Sequence, residues 1–283
     1  MRTVLLAAMA GLLATSVPAQ SADAPVVSLP KTTKWEINYD TDSCHLVAGF
    51  GEGPSAIFLN FTRFQPSDAF DLILYGQAFN TTVMTVPVEL AFGDQPMRDK
   101  QFAIAGETGK RLPLVIIGGQ SLNDWKSATT PAQEASVTSV SIRLSDGKTY
   151  RLETGSLGEA MAALRTCTTD LVARWGYDPA VQAALRSPAV PTGSPANWVK
   201  TNDYPIASLR AGHNGLVQFR LDLDDKGKVQ GCRVLMRFNP DEFADLTCTL
   251  LKKRATFKPA IDAQGNPVRT YFVNKVRFVI PDY

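Results

Sequence analysis

Alternating apolar and polar residues mark the clearest predicted strand, which lies in the last third of the chain. Between residues 217 and 223 this alternation is typical of a strand with one buried side and one solvent-facing side. The apolar positions are Val217, Phe219, Leu221 and Leu223, and the polar positions are Gln218, Arg220 and Asp222. A turn ending at Gly227 predicts a hairpin whose second strand runs from Val229 to Met236.

Two helices and a final strand are predicted around this hairpin. A short helix begins near Pro205 and ends at Gly212. A second helix is predicted from Asn239, a suitable N-cap, to Arg254, because acidic residues occupy its first turn and basic residues its last turn. Its apolar residues recur at helical spacing: Phe243, Leu246, Leu250 and Leu251. The chain then ends in an extended segment over residues 271–280.

The region before residue 178 has a different pattern of short apolar segments separated by turns. These segments are rich in branched and aromatic residues and predict strands: Trp35–Tyr39, Ala56–Phe61, Asp71–Phe79, Val83–Leu90, Leu112–Ile117, Val140–Leu144 and Thr149–Leu152. A helix follows, with Ser156 and Glu159 as a capping box. Its apolar stripe consists of Met161, Leu164, Leu171, Val172 and Trp175. We therefore predict an antiparallel β-rich domain with a terminal helix over residues 25–178.

Two further segments complete the predicted organisation. Residues 1–19 have the basic start, apolar centre and small-residue exit of a secretory signal peptide. The alternative is an uncleaved membrane anchor over Val4–Val17, although that run is shorter than the roughly 20 residues a spanning helix needs. Residues 179–197 are rich in proline and predict a stiff linker between the two halves.

Export changes the interpretation of the four cysteines. In an oxidising compartment an even count favours disulfides, and the layout predicts the pairs Cys44–Cys167 and Cys232–Cys248. Zinc is disfavoured because the chain has 2 histidines and no paired C-x-x-C motif. The net charge of +2 gives no electrostatic argument for nucleic-acid binding. No metal and no cofactor is predicted.

Candidate catalytic motifs do not combine into a site. Ser145 and Lys148 have S-x-x-K spacing, but they flank an Asp-Gly turn. The acidic pair Asp222 and Asp224 resembles the start of a calcium loop, yet later ligand positions hold basic residues. His45 lies beside a cysteine assigned to a disulfide, so it has no evident nucleophile as a partner. We therefore predict that the protein is not an enzyme.

The last third of the chain resembles the TonB C-terminal domain family. The resemblance rests on Tyr204–Pro205, Ala207, Gly212, Gly215, Val217, Phe219, Gly227, Val229, Leu246, Leu251, Phe257 and Pro259. With Cys232 on a strand and Cys248 on a helix, the segment is similar to a cysteine-bearing variant from α-proteobacterial envelopes. It departs from the family at 237–239, where Arg-Phe-Asn replaces a Ser-Ser-Gly turn. The resemblance implies an α+β fold with a small two-helix, three-strand domain over residues 198–281.

The same resemblance implies a binding function in the periplasm. Family members add a short peptide to a sheet edge, so the partner would be an outer-membrane transporter or another envelope protein. The predicted binding edge consists of Tyr271, Phe272, Val273, Asn274, Lys275, Val276 and Arg277. Lys275 and Arg277 would favour an acidic peptide. Alternatively, these charges protect an exposed edge against aggregation.

Two other functions stay open. The first is a membrane-anchored energy transducer for outer-membrane transport, in which the N-terminal segment is not cleaved. The second is an enzyme whose site lies in the β-rich half, for which a deep pocket with convergent polar groups would be the evidence.

Overall fold

The structure is a computed structural model that describes residues 25–238 and 241–280. The predicted signal peptide or anchor and the predicted N-cap Asn239 lie outside these residues. The described residues include no helix that is long and apolar enough to cross a membrane.

A ten-stranded sheet forms the first half of the protein. Its strands are β1 (Val26–Pro30), β2 (Glu36–Tyr39), β3 (Cys44–Phe50), β4 (Ile57–Arg63), β5 (Phe70–Tyr75), β6 (Thr85–Phe92), β7 (Gln101–Glu107), β8 (Pro113–Gln120), β9 (Val140–Arg143) and β10 (Thr149–Glu153). Two helices accompany them: α1 (Pro131–Ser136) and α2 (Gly158–Arg174). The strand order is β1-β10-β9-β6-β7-β8-β5-β4-β3-β2.

The sheet curves until its two ends meet. The amide of Thr32 donates to the carbonyl oxygen of Gly49 at 2.9 Å, and the amide of Gly51 donates to that of Pro30 at 2.9 Å. These bonds join the end of β1 to the end of β3, although the two strands lie near opposite edges. The prediction of an antiparallel sheet is correct for every pair except β1 with β10, which is parallel.

Helix α2 closes the core inside this curved sheet. Met161, Leu164 and Leu171 are fully buried together with the inward side chains of the strands. Cys167 of α2 lies at disulfide distance from Cys44 of β3, with their Cα atoms 6.0 Å apart. This cysteine pair joins α2 to β3, a strand that lies far away in the sequence, with a sequence separation of 123 residues between the two cysteines.

The predicted capping box at the start of α2 is wrong. The N-cap residue is Leu157, which forms no side-chain cap. The hydroxyl of Ser156 instead donates to the carbonyl oxygen of Ala135 at 2.9 Å. The serine is therefore used to hold α1 against the start of α2, and Glu159 has no cap to complete.

The second half is built around a three-stranded antiparallel sheet. Its elements are α3 (Pro179–Ala183), β11 (Val190–Pro191), α4 (Ile206–Arg210), β12 (Gly215–Leu223), β13 (Val229–Phe238), α5 (Asp241–Arg254), β14 (Phe257–Lys258), β15 (Ala260–Ile261), β16 (Pro267–Val268) and β17 (Thr270–Phe278). The sheet has the order β13-β12-β17, and short two-stranded pairs join β11 to β14 and β15 to β16. Cys232 of β13 lies at disulfide distance from Cys248 of α5, with a Cα separation of 5.5 Å.

The proline-rich segment 179–197 packs along this second half. Val190 pairs with Lys258, and Ser187 forms a bridge with Ile261. The side chain of Gln182 contacts Thr270 at 2.6 Å. Backbone and side-chain hydrogen bonds therefore hold a segment whose composition predicts a linker. The domain boundaries at 25–178, 179–197 and 198–281 stay predictions.

The polar side of the three-stranded sheet is buried against the first half. Gln218 and Arg220, for which the alternating pattern predicts exposure to solvent, are each only 7% exposed. Phe238 of β13 packs on the outer side of the ten-stranded sheet, where it contacts the cluster of Ile73, Leu114 and Ile116. The prediction that this side faces solvent is wrong, because the alternation shows which side chains are polar but not what they contact. Arg220 lies over the ring of Trp175 at the end of α2, 4.4 Å from its centroid, and pairs with Asp222 of its own strand.

Candidate functional site

Strand β17 lies at one edge of the three-stranded sheet. It pairs with β12 along its whole length, from Phe278 opposite Gly215 to Thr270 opposite Leu223. Within residues 25–238 and 241–280, no strand pairs with its other side. The backbone of the seven predicted binding residues therefore runs along an edge of the sheet.

The side chains of these seven residues point alternately to the two sides of the sheet. Phe272 and Val276 pack with the apolar clusters under α5. Tyr271, Val273 and Lys275 lie on the side that faces the first half, opposite Asp222, Arg220 and Gln218 of β12. Asn274 is partly buried, and Arg277 is exposed.

An aromatic cluster fixes the beginning of β17 to the end of α2. The ring of Tyr271 lies 5.1 Å from that of Trp175 and 5.4 Å from that of Tyr177. The hydroxyl of Tyr177 lies 2.9 Å from Asp222 Oδ1 and 3.0 Å from the carbonyl oxygen of Thr270. Burial raises the pKa of Tyr271 to about 12. Burial and then the Asp222 carboxylate also raise the pKa of Tyr177, so both phenols stay neutral, and the Tyr177 hydroxyl remains a hydrogen-bond donor.

The charge of Lys275 already has a partner within the chain. Its Nζ lies 3.2 Å from Oδ1 of Asp71, which also accepts the amide of Gly119 at 2.6 Å. A side chain at Gly118 would collide with the lysine amino group, so a glycine at 118 permits this close approach. Consequently, a peptide carboxylate would compete with Asp71 for Lys275. Arg277 is the exposed cation on β17.

A cavity of about 220 Å³ lies between β17 and the first half. One wall consists of Val273, Asn274 and Lys275. The facing wall is formed by the β4–β5 connection and by Trp125 from the loop after β8. Trp125 and Asp71 were not predicted as part of this site, because nothing in their local sequence pattern places them beside a strand so distant in sequence.

The hydroxyl and carboxyl groups around His45 do not form a catalytic triad. Ser43 Oγ lies 2.8 Å from His45 Nε2, and Thr62 Oγ1 lies 3.0 Å from Nδ1. The carboxylate of Asp40 is 3.9 Å from Nε2, the same nitrogen that contacts the serine, so it cannot orient the imidazole through Nδ1. Ser43 is 3% exposed, and burial lowers the pKa of His45. This arrangement holds a neutral histidine between hydroxyl groups.

The other motifs from the sequence have structural partners. Asp224 accepts the amides of Lys226 and Lys228 at 2.9 and 2.8 Å, which closes the hairpin turn, and backbone hydrogen bonds lower its pKa. Its neighbour Asp222 is bonded to Tyr177 instead, so the two carboxylates do not converge. Across the described ranges, no group of three His, Cys, Asp or Glu side chains could hold a metal ion.

A cavity of about 570 Å³ lies between the β1–β2 connection and α2. Lys31, Lys34 and Glu159 are its charged lining residues, and Lys31 lies 5.7 Å from the ring of Trp35. These side chains do not place a nucleophile beside a base. The hypothesis of an enzyme in the β-rich half therefore gains no catalytic geometry from this cavity.

Strand β17 is thus an edge strand of a sheet whose apolar side is covered by α5, and a further strand can be added to an edge of this kind. Residues 200–280 match the family model described as Gram-negative bacterial TonB protein C-terminal. The resemblance to the TonB C-terminal family is thus confirmed over less than a third of the chain.

The matched family consists of protein-interaction domains from Gram-negative envelopes that take part in energy-coupled transport and contact outer-membrane transporters. It is not an enzyme family. No curated protein and no solved structure matches this chain.

Proposed function

We propose that the protein is an exported, non-catalytic envelope protein that binds an extended segment of a partner along Tyr271–Arg277. The observation that carries this proposal is the edge position of β17 within the region that matches TonB C-terminal domains. A partner strand would receive main-chain hydrogen bonds from the side of β17 opposite β12. An outer-membrane transporter is the partner class that the family match favours.

The packing of β17 supports a rigid docking edge. Its two flanking surfaces are occupied, by α5 on one side and by the first half on the other. A strand that is already ordered loses little conformational entropy when it pairs. Most of the conformational entropy lost on binding would therefore be that of the peptide, and the conformation of the protein would change little.

The finer organisation is part of this proposal. Residues 198–281 would form the small two-helix, three-strand unit, and residues 25–178 would form the β-rich domain. Periplasmic location would follow from cleavage of residues 1–19. Sequencing the mature N-terminus tests this step, since a start near Gln20 is expected and a start at Met1 favours the anchored transducer.

The binding proposal is tested by selecting peptides and mapping where they bind. A display library of random twelve-residue peptides is selected against the full exported chain, and the best binder is added at saturation. We expect slower amide hydrogen exchange along residues 271–277, because an added strand hydrogen-bonds to this edge. The readout is residue-resolved exchange with and without the peptide.

Strand β13 provides the matched control, since it forms the opposite edge of the same sheet. Its exchange rates are expected to stay unchanged. Selection of no binder, or protection confined to β13 or to the first half, would contradict the proposal. The interpretation of β17 as an edge protected by charge would then be favoured.

A further inference from the structure

The cavity beside β17 lies where this strand meets the first half. Val273 and Lys275 share the side of the sheet that faces the first half with Gln218 of β12, which also lines the cavity. Asn274 lies between them on the edge strand. The cavity therefore lies on that side, at the corner where the edge of β17 meets the surface of the first half. This corner is where an added strand would place every second side chain.

The facing wall carries an exposed tryptophan on a strained loop. Trp125 is 57% exposed, and both Asp124 and Trp125 adopt left-handed backbone angles, with φ of 55° and 62°. Such angles are unfavourable for residues other than glycine. The loop is held by Ser121, whose hydroxyl accepts the amide of Trp125 at 2.9 Å. Strained backbone that is held in place by its surroundings is common at binding sites, and tryptophan is common among the residues that contribute most to binding.

The charges around this cavity favour an uncharged occupant. Lys275 and Asp71 both line it, but they are paired with each other at 3.2 Å. The remaining lining side chains are uncharged. Phe64, Ala69, Phe70, Trp125 and Val273 are apolar, and Thr62, Gln65, Ser67, Gln218 and Asn274 are polar without charge. A charged side chain entering here would lose hydration without a free partner of opposite charge. An apolar side chain would gain contact with Trp125.

We propose that this cavity receives an apolar side chain of the peptide that pairs with β17, and that Trp125 covers that side chain. The first half of the chain then sets the sequence preference of a docking edge that belongs to the second half. This inference rests on the proposed function. It specifies the partner as an extended segment with an apolar residue at one fixed position.

The test uses the full exported chain and a peptide selected on it, labelled with fluorescein. Each position of the peptide is changed in turn to Ala, Leu and Asp, and affinity is measured by fluorescence anisotropy. We expect one position at which a change from Leu to Asp weakens binding by about tenfold or more, the size expected for a buried anchor residue. In the Trp125→Ala variant, the preference at that position should fall below about threefold.

Phe102→Ala is the matched control, because Phe102 is an exposed aromatic residue (62%) that does not line the cavity. It should keep the wild-type preference. Ala69→Met, which fills the cavity, should reduce the preference for large apolar residues. Unchanged preference in both Trp125→Ala and Ala69→Met, with β17 still protected from exchange, would overturn this inference alone. If the peptide did not slow amide exchange along β17 of the wild type, the proposed function would be overturned instead.

Discussion

The two sheets of the protein cover their surfaces in different ways. The ten-stranded sheet curves until β1 meets β3 and encloses its own apolar core with α2. The three-stranded sheet is too small to enclose a core, so α5 covers its apolar side and the first half of the chain covers its polar side. A polar side on a small sheet can therefore be a contact surface between two parts of the same chain.

Removing each of the two disulfides should give the largest difference in free energy of unfolding between the two halves. Cys44–Cys167 closes a sequence separation of 123 residues, and Cys232–Cys248 closes one of 16. In the chain-entropy model, removing them costs about 4–5 and about 3 kcal/mol, respectively. Urea denaturation of the C44A/C167A and C232A/C248A double variants measures both losses. A larger loss for the second pair would contradict the comparison.

Phe238→Ala tests the packing between the two halves. The ring of Phe238 lies over Gly106 and contacts the Ile73 cluster, so its removal should cost about 1–3 kcal/mol. We also expect the unfolding transition to broaden or divide in two, because the halves lose a shared contact. Phe102→Ala should change stability by less than about 0.5 kcal/mol, since Phe102 is exposed. Equal effects of the two variants would argue against this contact.

Two ion pairs between the halves should differ in strength. Lys275→Met leaves the buried carboxylate of Asp71 without its cation, and we expect a loss of about 1–2 kcal/mol. Arg233→Met removes a pair with Asp42 at 2.8 Å, but the arginine is more than half exposed, so less than about 1 kcal/mol should be lost. Thermal unfolding of both variants gives the ranking. The reverse ranking would show that β13 is held more firmly than β17.

The smallest effect is expected at Asp203, which lies within the second half. A hydrogen bond from Arg254 at 2.9 Å lowers the pKa of Asp203 to about 2. Because the folded pKa lies below the unfolded value, this stabilisation is present above about pH 4 and is lost as the pH falls towards 2. Asp203→Asn should therefore be less stable than the wild type at pH 7 and nearly equal to it near pH 2. A difference that does not depend on pH would assign the effect to packing.

Strong periodicity allowed much of the second half to be predicted. The alternation from Val217 to Leu223 and the helical spacing of Phe243 and Leu251 agree with β12 and α5. Strands β1 and β7 of the first half were missed, and for β3 only the position of Cys44 on a strand was predicted. Strand β3 contains Cys44, His45 and Gly49 and is largely buried, so its sequence shows no clean alternation.

The surroundings of the candidate site were less predictable than the strand itself. The extended conformation of residues 271–277 could be predicted from their local pattern, and their position at a sheet edge from the family resemblance. In contrast, the contacts of Lys275 with Asp71 and of Tyr271 with Trp175 join residues that are far apart in sequence. Local pattern carries no information on such pairs, which form only when the two sheets pack.

Because Lys275, Tyr271 and Phe238 all contact the first half, we predict that both halves move as one body, with β17 held at the rim of their shared surface. Amide ¹⁵N relaxation of the full exported chain measures the rotational correlation time of each half separately. We predict the same correlation time for residues in β3–β8 and for residues in β12, β13 and β17. A clearly shorter time for the second half would contradict the claim, because that half would then tumble on its own.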